Sequence, residues 1–227
     1  MVSAVVLAAG MSTRMGQNKL LLSFRGKPLI VHAIDTLLAA KIDEIVVVLG
    51  HEIDKVRHQI EVGLPHLRRT PAGPDQGGLF LHSFSDGGSE TAPQRPVRLV
   101  QNPNYQEGLS TSVRTGIKTV SQHADGIMIC LADQPLLQPA DVDQIVAAFA
   151  AAKKVNKSIV VPFFEGERGN PVILDASLRD AILGIVGDVG CKGVIKRYPD
   201  KVYMLEMEND HVVRDVDDVP AYESLVR

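Results

Sequence analysis

Cysteine is nearly absent from this chain of 227 residues: only Cys130 and Cys191 occur, far apart and without a C-x-x-C pair. That spacing indicates neither a disulfide framework nor a zinc cage, and it fits a reducing cytoplasm. Long apolar runs are also missing. The first, Val2 to Ala9, has no basic flank before it and is cut short by Gly10, so a signal peptide and a membrane span are both excluded as readings of it. Charge of one sign is not in excess. A formal charge of -3 and a pI of about 6.2 give no overall attraction to nucleic acid or to a membrane surface. Any polyanion must therefore be held by a local site, and a small ligand is expected. Internal repeats and long runs of like charge are lacking too. So is any His or Cys constellation suited to acid–base or nucleophilic catalysis, since His32, His51 and His58 read as helix-face or loop residues.

What is present is enough apolar material for a core: 45% hydrophobic residues and a mean hydropathy of +0.06 suit one large α/β domain over residues 1–227. Short Val- and Ile-rich runs recur at Ala4 to Leu7, Glu44 to Leu49, Val97 to Val100, Ile127 to Leu131 and Ser158 to Val161. Such continuous apolarity predicts strands buried on both faces. Helical spacing intervenes, as in Leu29, Ile30, Ala33, Ile34, Leu37, Leu38 and in Val142, Ile145, Val146, Phe149. Pro28 and Pro139 suit helix starts. Strand alternating with helix predicts a mainly parallel sheet covered on both sides. Residues Gly63 to Pro96 break the rhythm with Gly, Pro, Ser and Asp, and read as an inserted flexible loop whose His66 and His82 are solvated. After Pro162 the pattern reads as a hairpin of Val202 to Leu205 and Val212 to Val216, then a short terminal helix.

The first strand runs into Ala8-Ala9-Gly10 and continues through Ser12, Thr13, Arg14, Gly16 and Lys19. Small residues let backbone N–H groups approach phosphate oxygens, while Arg14 offers a bidentate fork and Lys19 a point charge. The run is neither G-x-x-x-x-G-K-S/T nor G-x-G-x-x-G, so a Walker loop and a dinucleotide fingerprint are both excluded. Asp133 follows the apolar run Gly126 to Leu131, which sets its carboxylate at the carboxyl tip of a central strand, on the same edge as the loop. A hard oxygen ligand there suits Mg²⁺. Mg²⁺ takes one or two carboxylates, so a second acid is expected. Asp215 and Asp217 have the period-2 spacing that shares a strand face, with Asp218 turned away, and Asp217 is the choice. Ser110, Thr111 and Ser112 open an apolar-periodic helix, where hydroxyls can cap it or meet a base or ribose. Arg168, flanked by Gly166 and Gly169, can clamp an anion, and Gly187-Asp188 with Gly190 turns into a helix from Gly193 to Arg197.

These residues together resemble the molybdenum-cofactor nucleotidyltransferase-like (MobA-like) family. Leu7 to Lys19 matches its L-A-A/G-G-x-S-x-R-M-G-x-x-K signature, and Asn102 to Gly116 its N-P-x-x-x-x-G-M/L-x-x-S segment. Asp133-Gln-Pro135 matches its D-Q-P metal motif, and Asp215-Val-Asp217 its terminal acidic segment. Glu167 to Val172 and Gly187 to Lys192 resemble the acceptor-side motifs. The resemblance implies a Rossmann-like, three-layer α/β/α fold of the nucleotide-diphospho-sugar transferase type with a small antiparallel acceptor-side extension.

It further implies catalytic roles for Arg14, Lys19 and Asp133, and nucleotide binding by Leu7, Ala8, Ala9, Gly10, Ser12, Arg14, Lys19, Gly108, Leu109 and Ser112. Mg²⁺ is expected on Asp133 and Asp217, and the acceptor on Arg168, Gly169, Asn170, Asp188 and Gly190. Relatives that use CTP read L-A-A-G, as here, whereas those that use GTP read L-A-G-G. The implied reaction moves CMP from CTP to the phosphate of molybdenum-bearing molybdopterin and releases pyrophosphate, with a molybdoenzyme or its chaperone as a partner. Two departures touch the acceptor: Asn170 stands where His is frequent, and Cys191-Lys192 where Ala-Arg is usual. A guanylyltransferase, a sugar- or alcohol-phosphate nucleotidyltransferase and a non-catalytic cofactor-delivery protein are the rival readings.

Overall fold

In a computed structural model, residues 1–70, 79–83, 96–184, 186–187 and 190–226 are described. The strands are β1 (Val2–Ala8), β2 (Ser23–Phe24), β3 (Lys27–Pro28), β4 (Glu44–Leu49), β5 (Leu67–Thr70), β6 (Leu79–Ser83), β7 (Pro96–Gln101), β8 (Gly126–Leu131), β9 (Ile159–Phe164), β10 (Glu167–Arg168), β11 (Val172–Asp175) and β12 (Val202–Glu206). The helices are α1 (Leu29–Ala39), α2 (Ile53–Gly63), α3 (Leu109–Thr119), α4 (Pro139–Lys154), α5 (Arg179–Leu183), α6 (Lys192–Arg197) and α7 (Val219–Val226).

Ten strands form one sheet in the order β10-β9-β11-β8-β1-β4-β7-β6-β5, with β12 on β9. Its centre, β8-β1-β4-β7, is parallel, and antiparallel strands flank it on both sides. Every residue of β1 and β4 is buried, as the continuous apolar runs require. Along β1 the side chains alternate. Ala4, Val6 and Ala8 pack with Ile30 and Ile34 of α1, Val56 and Ile60 of α2 and Val142 and Ile145 of α4. Val5 and Leu7 pack with Val113 and Ile117 of α3, Ile182 of α5 and Val194 of α6. These are the three layers of the expected α/β/α fold. Each such fully buried Val or Ile contributes roughly 1.5–3 kcal/mol. Gly116 permits a close approach on the second face, since a Cβ there would lie 2.2 Å from Cγ1 of Val5.

From β1 the chain passes through α1 to β4 on one side of β1, yet β8 pairs with β1 on the other. The carboxyl ends of β1 and β8 therefore border the crevice where strand order reverses, the usual ligand position in open parallel sheets.

Two sequence expectations are corrected. The segment from Gly63 to Pro96 is not wholly a loop, because Gly63 ends α2 and residues 67–70 and 79–83 extend the sheet beyond β7. The apolar Leu79-Phe-Leu run suits a strand; residues 71–78 and 84–95, and the side chain of His82, lie outside the described part. The expected hairpin of Val202 to Leu205 with Val212 to Val216 does not form, and the antiparallel turn after Pro162 instead joins β9 to β10. β12 pairs in parallel with the distant β9, Asp210–Val213 is a single 3₁₀ turn whose His211 N–H donates to the Asn209 side chain, and residues 214–217 belong to no strand. Among the described residues no helix is long and apolar enough to cross a membrane.

Candidate active site

A cleft of about 590 Å³ opens at the carboxyl ends of β1 and β8. Of the sequence-predicted residues, Leu7, Ala9, Gly10, Ser12, Arg14, Lys19, Gly108, Leu109, Ser112, Asp133 and Asp217 all line it. Ala8 does not: it is 2% exposed and faces the α1 side of the core, because strand alternation gives the cleft face to its neighbours Leu7 and Ala9. The structure adds residues the prediction passed over, chiefly Asp215, Tyr105, Gln106, Glu107 and Leu131. Asp215 was legible only as a sequence neighbour of Asp217, because the period-2 reading assumed a strand that residues 214–217 do not form. The Tyr105–Glu107 turn had none beyond its place just before Gly108.

The loop after β1 is shaped by two left-handed residues. Ser12 (φ 52) and Gly16 (φ 66) bracket the 3₁₀ turn Thr13–Met15, and the Met15 N–H donates to the Ser12 carbonyl at 2.9 Å. A non-glycine residue in this region costs about 1 kcal/mol or more. Ser12 is held there by its side chain, whose Oγ accepts the Lys19 N–H at 3.2 Å. Gly10 has nothing within 4 Å of where a Cβ would stand, which leaves the backbone open to the cleft.

The two cations of this loop meet two acids from elsewhere in the chain. The Lys19 ammonium pairs with Oδ2 of Asp133 and lies 3.1 Å from Oδ1 of Asp217. Arg14 Nη2 lies 3.2 Å from the other Asp217 oxygen. The Asp133 carbonyl accepts the Val216 N–H at 2.9 Å, which ties the end of β8 to the C-terminal acidic segment. Burial opposes the charge on Lys19, but Asp133 and then Asp217 outweigh it and hold its pKa above the ordinary value. Asp217 is held below its ordinary value because Lys19 and Arg14 overcome its partial burial. Asp215 is pushed up by burial and by the carboxylates of Asp133 and Asp217.

Oδ1 of Asp133 is buried without a hydrogen-bond partner, so this carboxylate has a lone pair aimed at nothing described. Hard oxygens converging on a cation, with one oxygen free, fit a divalent ion. Among the described residues no three His, Cys, Asp or Glu side chains could cage a metal by themselves. A metal here would thus have to share its coordination with ligand oxygens and water, the habit of Mg²⁺.

The start of α3 forms the opposite wall. Gly108, at φ 108, precedes the helix, and no hydroxyl caps it. Instead the Asn102 amide donates to Thr111 Oγ1 at 2.8 Å and to Ser112 Oγ at 3.0 Å, which orients Ser112 on the cleft. Gly50 has a packing role that sequence reasoning missed. A Cβ there would fall 2.8 Å from both the Ala9 Cβ and the Tyr105 ring stem, so only glycine lets Tyr105 close against the end of β1.

Of the residues expected to meet an acceptor, Arg168, Gly169, Asn170 and Gly190 do not line the described cleft, and Asp188 lies outside the described residues. Gly190 adjoins it through Leu109, whose Cδ2 would be 2.9 Å from a Cβ at 190. Arg168 lies in β10 as a half-buried guanidinium, its pKa lowered by burial and partly restored by Cys191. Burial pushes the Cys191 thiol up to about 12, against the pull of Arg168, and raises Cys130 as well. Both thiols are thus protonated at neutral pH, which removes cysteine nucleophiles from the chemistry.

The nicotine blue oxidoreductase of Paenarthrobacter nicotinovorans is 26% identical over 227 residues, covering 96% of this chain and 93% of that protein. Purine catabolism protein PucB of Bacillus subtilis is 32% identical over 193 residues, 85% of this chain and 79% of the relative. Among solved structures, Rv0371c of Mycobacterium tuberculosis H37Rv in complex with manganese shares the fold, with a TM-score of 0.67 at 24% identity and coverage of 99% and 97% of the two chains. Residues 4–202 match the family described as the MobA-like NTP transferase domain, and the chain belongs to that family.

Proposed function

We propose that the chain transfers CMP from CTP to the phosphate of molybdenum-bearing molybdopterin, forming molybdopterin cytosine dinucleotide and pyrophosphate in the cytoplasm. One observation carries the reading: the glycine-containing loop after β1 brings Arg14 and Lys19 onto the carboxylates of Asp133 and Asp217 inside a single cleft. The cleft walls hold two cations, Arg14 and Lys19, against four acids, Glu107, Asp133, Asp215 and Asp217. The net negative charge opposes a triphosphate, so a divalent cation that accompanies it should strengthen its binding in this cleft.

Asp133 and Asp217 would hold Mg²⁺, which when bound supplies charge neutralisation at the phosphates. The manganese in the Rv0371c structure supports a divalent ion. In the transfer, an oxygen of the acceptor phosphate forms a new bond to the α-phosphorus of CTP while the bond from that phosphorus to the β-phosphate bridge breaks, and pyrophosphate leaves with the electron pair. Lys19 and Arg14 neutralise the triphosphate, and the N–H groups of the loop face its oxygens. The acceptor phosphate is already ionised near pH 7, so no general base is required. Gly108, Leu109 and Ser112 border the base, and Ala9 favours cytidine over guanosine. Arg168 meets the anionic acceptor: among the described residues no carboxylate pairs with its guanidinium. Asn170 and Cys191 leave room for a different phosphorylated acceptor in the same chemistry.

The full-length likeness to an oxidoreductase supports a second reading, hydride transfer on the same scaffold. The loop after β1 lacks a G-x-G-x-x-G run, which speaks against it. The two are separated by one comparison: pyrophosphate release from MgCTP with phosphorylated pterin, against NAD(P)H consumption with an oxidised heteroaromatic acceptor. Pyrophosphate without NAD(P)H turnover supports the transferase; the reverse removes it. Tight CTP binding with no turnover on any acceptor supports the delivery protein.

A further inference from the structure

Gln134 is 4% exposed, and no role follows for it from the transfer chemistry. Its side-chain amide donates to the Val212 carbonyl at 2.8 Å, across 78 positions of sequence. The same carbonyl accepts the Asn170 N–H at 2.8 Å, so both of its lone pairs are used. The two donors come from distant parts of the chain. Gln134 follows Asp133 directly, and Asn170 belongs to the acceptor-side segment. That segment reaches Val212 only because residue 169 is glycine, where a Cβ would stand 2.6 Å from the Val212 oxygen. Four residues beyond, the Val216 N–H donates to the Asp133 carbonyl. The dipeptide Asp133-Gln134 therefore grips residues 212–216 at both ends, and Asp215 and Asp217 flank the second grip. The start of the segment is fixed independently, by Asn209 and His211 on the carboxylate of Asp141 at 3.1 and 2.9 Å.

We propose that Gln134 is a positioning residue for the transfer: through the Val212 carbonyl it sets Asp217 against Asp133 and couples that acid pair to the acceptor-side residues Gly169 and Asn170. This rests on the nucleotidyl-transfer reading above. A buried carbonyl that loses one of two donors does not regain it from water, and the segment it belongs to shifts to find another. An effect on the carboxylate pair, rather than on the loop that meets the phosphates, is the signature of this role.

The test uses Gln134→Met, which keeps the length of the side chain and removes the donor, and Gly169→Ala, which acts on the other side of the same carbonyl. Affinity for Mn²⁺ in the presence of CTP is read by electron paramagnetic resonance, and affinity for CTP alone by calorimetry. Both variants should bind Mn²⁺ with CTP about tenfold more weakly, while CTP without metal binds within about twofold of wild type. The double variant should lose less than the product of the two single losses. A folded Gln134→Met with wild-type Mn²⁺ affinity, equal losses with and without metal, or independent effects of the two substitutions overturns the proposal. Should Gln134→Met not fold, Gly169→Ala carries the first two outcomes from the other side of the same carbonyl: wild-type Mn²⁺ affinity, or equal losses with and without metal, overturns the proposal. Failure of the wild-type protein to bind Mn²⁺ with CTP removes the underlying reading; normal wild-type binding with unaffected variants removes only the role of Gln134.

Discussion

The ammonium of Lys19 stands 3.1 Å from Oδ1 of Asp217, a residue 198 positions further along the chain, and also pairs with Asp133. The loop after β1 is thus tied by ion pairs to the end of β8 and to the C-terminal acidic segment. Lys19→Met leaves Asp133, with a side chain 14% exposed, without its cation. An unpaired carboxylate at this depth costs about 2–4 kcal/mol, which lowers the melting temperature by roughly 5–10 °C. Added Mg²⁺ or Mn²⁺ should recover part of that loss by replacing the ammonium. Calorimetry with and without metal checks it; an unchanged melting temperature would show that the pairing is not formed in solution.

Asp215 and Asp217 should respond to pH with opposite signs. The pKa of Asp217 is depressed in the folded protein, so its contribution to stability is present above the unfolded value of about 4 and is lost as pH falls through the folded pKa. That of Asp215 is raised, so its contribution is present below about 4 and is lost as pH rises through the folded pKa. Asp215→Asn should therefore raise the melting temperature by about 1–3 °C at pH 7 and give no gain at pH 3. Asp217→Asn should cost less than about 1 kcal/mol of stability at pH 7 for so exposed a pair, seen as a slightly lower melting temperature. Melting curves across pH 3 to 7 settle the signs.

At the opposite end of the sheet, Glu44 is 2% exposed, lies 2.9 Å from Arg98 and accepts from Ser3 Oγ at 2.7 Å and the Ser121 N–H at 3.0 Å. Glu44→Gln keeps the shape but removes the charge that faces Arg98. About 2–4 kcal/mol of stability should be lost, seen as a lower urea midpoint with an unchanged slope, and nucleotide affinity should not change. A loss below about 0.5 kcal/mol would mean the pair contributes nothing net.

Much of this site was legible because its signals are local. The loop from Leu7 to Lys19 is contiguous, and the apolar run of β8 ends just before Asp133, so strand position alone located the carboxylate. Strand alternation also contained the correction for Ala8, which a contiguous motif conceals. What could not be read is non-local pairing. The run Val202 to Glu206 looks like half a hairpin, yet its partner is β9, some 40 residues earlier. Likewise Gly50 and Gln134 act on residues far along the chain, and nothing in their own neighbourhoods announces Tyr105 or Val212.

Ala9 is the proposed determinant of the base. Ala9→Gly should raise the ratio of GTP to CTP turnover by about tenfold, the order expected for one methyl group in a pocket. Initial rates with both nucleotides give the ratio, and an unchanged value would take Ala9 out of base selection.

The central claim is metal-dependent cytidylyl transfer in the cleft that holds Asp133. Its most direct test is pyrophosphate release measured with MgCTP and phosphorylated pterin acceptor, for wild type and Asp133→Asn, with and without chelator. The account predicts release that requires the metal, prefers CTP to GTP, ATP and UTP, and falls about 10³-fold in a normally folded Asp133→Asn. Undiminished release by that variant, or release that survives the chelator, would contradict it.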